Sequence, residues 1–473
     1  MSSTFWIKAL ELILALGILV MIHEFGHYFF ARVFGVWVEK FYLFFNPWLT
    51  IAKWKPGKYV KWFSHGNEMA VAGENDPNEN KKSWRATEYG LGWLPLGGYC
   101  AISGMIDESM NTEAMKQPAK PYEFRSKPAW QRLLIMLGGV LFNFLLAIVI
   151  YAGIVYSVGE KFVKFEDATN GMLYCDSAHK VGFENGDIPL AVDGKKLERP
   201  DAGSLQAMLT GKQVTVLRDH KDTITINIPD NFIFQVNKDA ERQQPFMVYS
   251  MPLIVDQVQP RMGGEKAGLQ KGDRLLGVNE VSTPDMMAFS EELAKYKGQN
   301  VSIKYQRGNL VLTATDVPID ENGMLGVTKE LDPSKLFKTT VIHYNILQSI
   351  PRGIEMGWNK MVNYVKQLKY VFTPEGAQSL GGFGTIGSIF PDTWNWLDFW
   401  NITAFISVIL AVMNILPIPA LDGGHVLFLI VEIITGRQPS LKFMEKAQMV
   451  GMALLIALLV FANGNDIYRY FFK

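Results

Sequence analysis

The chain has 473 residues, 48% hydrophobic and 19% charged, with 46 basic against 46 acidic side chains. That balance excludes a nucleic-acid binder held by bulk positive charge. Cys100 and Cys175 stand far apart with no CxxC spacing, which excludes a disulfide framework and a thiolate metal site.

In chain order, the first element is an apolar run from about Phe5 to Phe34. It continues well past the core of a signal peptide and lacks a small-residue cleavage site, so it is expected to be a retained membrane span. Three further runs are long enough to span: Leu133–Val158, Phe399–Pro417, and about Phe443–Asn463 with its flanks. "HVLFLIVEII", directly after the third, is too short to span alone and is expected to extend that span or pack beneath it. Arg32, Lys40 and the basic residues up to Arg132 put the loop between spans one and two in the cytoplasm. By span parity, both chain ends and the middle section are then outside it.

The middle, about Glu160–Asp332, repeats itself. "KVGFENGDIPLAVDG" (Lys180–Gly194) aligns without gaps on "KAGLQKGDRLLGVNE" (Lys266–Glu280), which pairs Gly182 with Gly268, Gly186 with Gly272 and Asp187 with Asp273. Each copy continues into a helical candidate and then alternating strands, the pattern of two small mixed β domains in tandem. The stretch Leu347–Phe372 is amphipathic. It is expected either to lie on the membrane surface or to pack on the soluble domains.

The chemistry concentrates inside the apolar runs. His23 and His27 stand four residues apart, so on a helix both imidazoles reach one ion. Glu24 sits beside them and completes an H-E-x-x-H pattern: two ligands plus a carboxylate that takes a proton from water. A charge in mid-span costs about 2.5–3.5 kcal/mol on insertion scales, so its presence there needs a function. A catalytic zinc uses three protein ligands. The third is expected from "NILPIPALDGGH" (Asn414–His425), where Asp422 lies inside an apolar segment next to Gly423 and Gly424. His425 is the rival, better suited to an outer-shell role. Pro417 and Pro419 break the helix there, and Asn414 offers a polar group for an unwound substrate backbone or a developing oxyanion.

"HEFGH", "LPLGGYC" (Leu94–Cys100), the tandem "AGLQKGD" repeat and "NILPIPALDGG" together resemble the site-2 protease family, in its bacterial regulator-of-sigma-E branch. The resemblance implies one Zn2+ on His23, His27 and Asp422, with Glu24 catalytic. It places the substrate-binding asparagine on Asn414, in a motif that includes Pro417. It also implies a membrane-entering β-hairpin over Glu88–Ser103, with Gly97 and Gly98 against an extended substrate. The fold expected is a multi-pass α-helical membrane protein of about four spans. It carries that membrane-associated hairpin and two extracytoplasmic PDZ-like domains.

The expected divisions are a first span (1–34), a cytoplasmic loop with the hairpin (35–132) and a second span (133–158). PDZ-like domains follow (160–232 and 245–332), then an amphipathic connection (335–397), a third span with "LDGG" (398–436) and a fourth span (443–465). The activity implied is hydrolysis, within the bilayer of the bacterial inner membrane, of single-span proteins already cut outside by a site-1-type protease. Anti-sigma factors and remnant signal peptides are the implied substrates; nucleic acid is no partner. Gly139 stands where the family usually has proline, "LGGFGTIG" (Leu380–Gly387) lacks an expected proline, and "FYLFFNPW" is bulkier than usual. Ala52–Arg85 reads as extra loop material. A membrane-anchored PDZ adaptor and, more weakly, a metal transporter are the competing classes.

Overall fold

A computed structural model describes residues 3–65, 83–95, 97–105, 117–241, 244–368, 371 and 381–472. The chain divides into two compact units, one of residues 1–159 with 343–473, the other of residues 160–342.

The first unit is helical. Its main helices are α1 (Ser3–Val33), α2 (Ala129–Val158), α3 (Ile346–Leu368), α4 (Phe383–Ser388), α5 (Trp396–Ile415), α6 (Asp422–Thr435) and α7 (Leu441–Phe472). Four of them, α1, α2, α5 and α7, are long and apolar enough to cross a membrane. The run written as one third span is two helices. Leu416 caps α5, and Pro417 and Pro419 occupy the break, because proline can neither donate to the helical ladder nor admit the preceding turn. "HVLFLIVEII" thus forms most of a separate helix, α6, which packs against α2.

Helices α1 and α2 cross backbone to backbone. A Cβ placed on Gly26 would lie 2.2 Å from the Gly138 carbonyl oxygen, and one on Gly138 would lie 2.4 Å from that of Gly26. Small residues permit this approach where lipid supplies no hydrophobic drive. The amphipathic α3 uses the same device. Gly353 meets Ala152 of α2, and the helix packs on α2 and α5.

A five-stranded sheet joins α1 to α2: β1 (Val38–Leu43), β2 (Phe45–Lys55), β3 (Tyr59–His65), β4 (Glu88–Leu94) and β5 (Tyr99–Ile102). Its order is β3-β2-β4-β1-β5. The hairpin expected over Glu88–Ser103 therefore needs correcting. Strands β4 and β5 do not pair with one another, because β1 lies between them, parallel to β4 and antiparallel to β5. Gly97, with φ 157°, and Gly98 form the connection over the end of β1. The extra loop material supplies the end of β2, Ala52–Lys55, and all of β3, while residues 66–82 lie outside the described residues.

The second unit holds the repeat. Strand Ile188–Val192 corresponds to Arg274–Val278, helix Ala202–Thr210 to Met286–Leu293, and hairpin Gln213–Asn227 to Asn300–Pro318. Asp201 and Asp285 cap the two helices by accepting backbone N–H bonds. Each copy has its own apolar core, one around Phe183, Met208 and Phe232, the other around Leu275, Phe289 and Ile303.

Candidate metal centre

The helical period of α1 turns His23 and His27 toward α2, and the Gly26–Gly138 crossing brings them close. Gly139 then lies flat under both imidazoles. A Cβ there would be 2.5 Å from His23 Cε1 and 2.6 Å from His27 Nε2. The His27 ring donates from Nδ1 to the Ile135 carbonyl at 2.9 Å, which leaves Nε2 without hydrogen.

Asp422 arrives from the far end of the sequence. The break after α5 turns through Ala420, whose φ of 74° is left-handed, and α6 starts at Asp422. Gly423 and Gly424 let this start fold back on the break. A Cβ on Gly423 would sit 2.0 Å from the Leu416 carbonyl oxygen, and one on Gly424 2.7 Å from that of Ile418. At the other end of α6, Glu432 forms a buried ion pair with Arg132 of α2. Gln448 of α7 hydrogen-bonds His425 at 2.8 Å, one turn beyond Asp422.

The three ligand atoms meet. His23 Nε2 and His27 Nε2 are 3.2 Å apart, and Asp422 Oδ2 lies 3.1 Å from the first and 3.3 Å from the second. Asp422 Oδ2 is buried without a hydrogen-bond donor. Three atoms that can each offer a lone pair thus converge. Tetrahedral zinc bonded to N and O at about 2.0–2.1 Å would hold its ligands about 3.3 Å apart, so the donor set fits a small divalent cation.

Glu24 is partly buried beside this group, and the backbone amide of Cys100 in β5 faces its carboxyl. Among the described residues, strand β5 is a sheet edge, with β1 as its one neighbour in the sheet. The Gly97–Gly98 connection and the Phe44 turn reach the middle of α1: Gly98 lies against Val20, and Phe44 against Gly17. Asn414 is partly buried in the last turn of α5, and Pro417 is exposed in the break. His23, His27 and Asp422 are thus brought together. Asn414, Pro417, Gly97 and Gly98 stand on the flanking elements and make no bond to the three ligand atoms.

Sequence reading missed the groups that hold the site. Gly26 and Gly138 look like ordinary small residues in a span, and Gly139 stands out only as a departure from the family's proline. Arg132 and Gln448 carried a signal, as polar side chains bordering apolar runs, but nothing local names their partners.

The chain belongs to peptidase family M50, whose family model matches residues 11–66 and 77–458. It is a zinc metalloprotease of the site-2 type. Its relatives include Protease RseP of Yersinia pestis, 28% identical over 492 residues that cover 99% of this chain and 100% of the relative. The Regulator of sigma E protease of Haemophilus influenzae is 28% identical over 487 residues, covering 97% and 98%. The Regulator of sigma-E protease RseP of Escherichia coli is 26% identical over 501 residues, covering 99% and 100%.

Proposed function

We propose that the chain cleaves single-span membrane proteins inside the bilayer, as the second cut of regulated intramembrane proteolysis. The observation that carries this reading is the convergence of His23, His27 and the donor-less Asp422 oxygen beside Glu24, among helices suited to a membrane. In this reading the three residues hold one Zn2+, which when bound supplies Lewis acidity to the reaction. Glu24 takes a proton from the attacking water and returns it to the leaving nitrogen. Asn414 binds the unwound substrate or its oxyanion, at a wall shaped by Pro417.

A substrate helix hides its carbonyls and must unwind, and each unpaired backbone group in hydrocarbon costs several kcal/mol. The free edge of β5, which follows Gly97 and Gly98 and faces Glu24, offers replacement hydrogen bonds by strand addition. This supports the substrate role assigned to those glycines, carried by a sheet edge rather than by a two-strand hairpin.

The two repeats are read as PDZ-like domains on the extracytoplasmic side of a bacterial inner membrane, filtering out substrates not yet trimmed by a site-1-type protease. Anti-sigma factors and remnant signal peptides are the substrate classes, in keeping with the names of the relatives. Co-expression with tagged single-span candidates tests the reading. Wild type should cut them; Glu24→Gln should retain zinc, accumulate uncut protein and lose about 10²–10⁴-fold in rate. Undiminished turnover by Glu24→Gln would refute the role of Glu24, and a wild type that cuts none of the candidates would favour an adaptor or transporter.

A further inference from the structure

The two candidate histidine ligands are oriented by different means. His27 Nδ1 is bonded to a backbone carbonyl of α2, which no substitution removes. His23 Nδ1 is not. The polar group within its reach is the side-chain amide of Asn143, 3.3 Å away on α2. Asn143 is fully buried in an apolar span, four residues from the Gly139 that touches both imidazoles. Its backbone carbonyl accepts a 2.7 Å hydrogen bond from Ser407 Oγ of α5, itself fully buried, so a third helix fixes this turn. Its Oδ1 has no partner.

These facts constrain one another. His23 faces Asp422 and His27 through Nε2, so Nε2 must be bare for a metal and the ring hydrogen must sit on Nδ1. Nδ1–H needs an acceptor, and an amide NH2 cannot be one. A half-turn of the Asn143 amide brings Oδ1 to Nδ1–H and removes the donor–donor clash.

We infer that Asn143 is the positioning residue for His23: its Oδ1 accepts the Nδ1 hydrogen, fixes the Nε2-ligating tautomer and locks the ring toward Asp422. The inference rests on the metal-site reading above.

The test uses the purified full-length protein in detergent, stripped of metal and titrated with Zn2+ and Co2+. Asn143→Leu should bind Zn2+ about 10- to 100-fold more weakly. Asn143→Asp, whose carboxylate accepts the same hydrogen, should stay within about threefold of wild type. In metal-free protein with 15N-labelled imidazoles, wild-type His23 should carry its hydrogen on Nδ1, and Asn143→Leu should populate the Nε2–H form. A packing role alone would lower the melting temperature of the metal-free protein and leave that signature in place. If leucine prevents folding, Asn143→Ala carries the same expectations. Wild-type zinc affinity and tautomer in the leucine or alanine variant would overturn the inference, as would a loss in the aspartate variant equal to that in leucine. Wild type that takes up neither ion would instead refute the metal-site reading.

Discussion

The membrane unit and the repeat unit each bury carboxylates, and they treat them in opposite ways. In the first repeat, Asp187 is 1% exposed and its oxygens accept from Arg218 Nε at 2.8 Å, Arg218 Nη2 at 2.7 Å and the Glu184 amide at 2.9 Å. In the second, Asp273 is matched bond for bond by Arg307 at 2.8 and 2.7 Å and by the Gln270 amide at 2.8 Å. Both arginines also donate at 2.8 Å to an equivalent glycine carbonyl, Gly182 in one repeat and Gly268 in the other. These carboxylates are saturated by partners from their own repeat, and they tie one turn to one strand. Asp422 in the membrane unit is only partly buried, but its Oδ2 is fully so and faces two imidazole nitrogens with no hydrogen-bond partner. A saturated carboxylate is architecture; one whose oxygen is idle in a dry place is reserved for a ligand.

The contrast should break most sharply at the metal site. Asp422→Ala or His27→Ala should reduce bound zinc from one ion per chain to near none and cleavage to background. Elemental analysis of purified protein checks this, and full occupancy in either variant would contradict it. Gly139→Ala should come next. Its methyl group would press on both imidazoles, and overpacking of about 1–3 kcal/mol implies zinc binding roughly 10- to 100-fold weaker. Chelator competition reads this directly, and an unchanged affinity would show that the two helices separate without harm.

The repeat unit should respond in stability alone. Asp273→Asn removes the charge facing Arg307, which is partly solvated, so the cost should lie near 2–3 kcal/mol, between buried and exposed pairs. The second repeat should melt earlier while zinc affinity stays the same. Burial pushes the Asp273 carboxyl up, but the Arg307 and Gln270 hydrogen bonds outweigh it and hold the group below the ordinary carboxylate range. The unfolded chain therefore takes up this proton first as pH falls. The stabilisation is complete above about pH 4 and is lost as pH drops through the lower folded value, so Asp273→Asn should flatten that acid limb. The smallest effect belongs to the break itself. Ala420→Gly relieves a left-handed alanine and should raise stability by about 1 kcal/mol, with metal binding retained.

What the sequence disclosed follows the same division. The H-E-x-x-H pattern, the "LDGG" turn and the repeated "GD" turns are local, since each places its groups within one or two turns of chain, so spacing alone exposes them. Asp187 and Asp273 could be aligned by eye, although Arg218 and Arg307 could not be named as their partners. The contacts of Gly26 with Gly138, of Asn143 with His23 and of Arg132 with Glu432 join segments whose pairing depends on how helices cross, and a linear pattern carries no record of that. The insertion of β1 between β4 and β5 was hidden for the same reason. A short glycine-containing connection reads as a hairpin unless a third strand is known to lie between.

The separation of the ligands along the polypeptide has a further consequence. His23 is made about four hundred residues before Asp422. A ribosome translating this message inserts the glutamate and both histidines into lipid long before the aspartate exists. If the proposed ligand set holds, the growing chain therefore cannot cut its neighbours, or itself, until the start of α6 has been made.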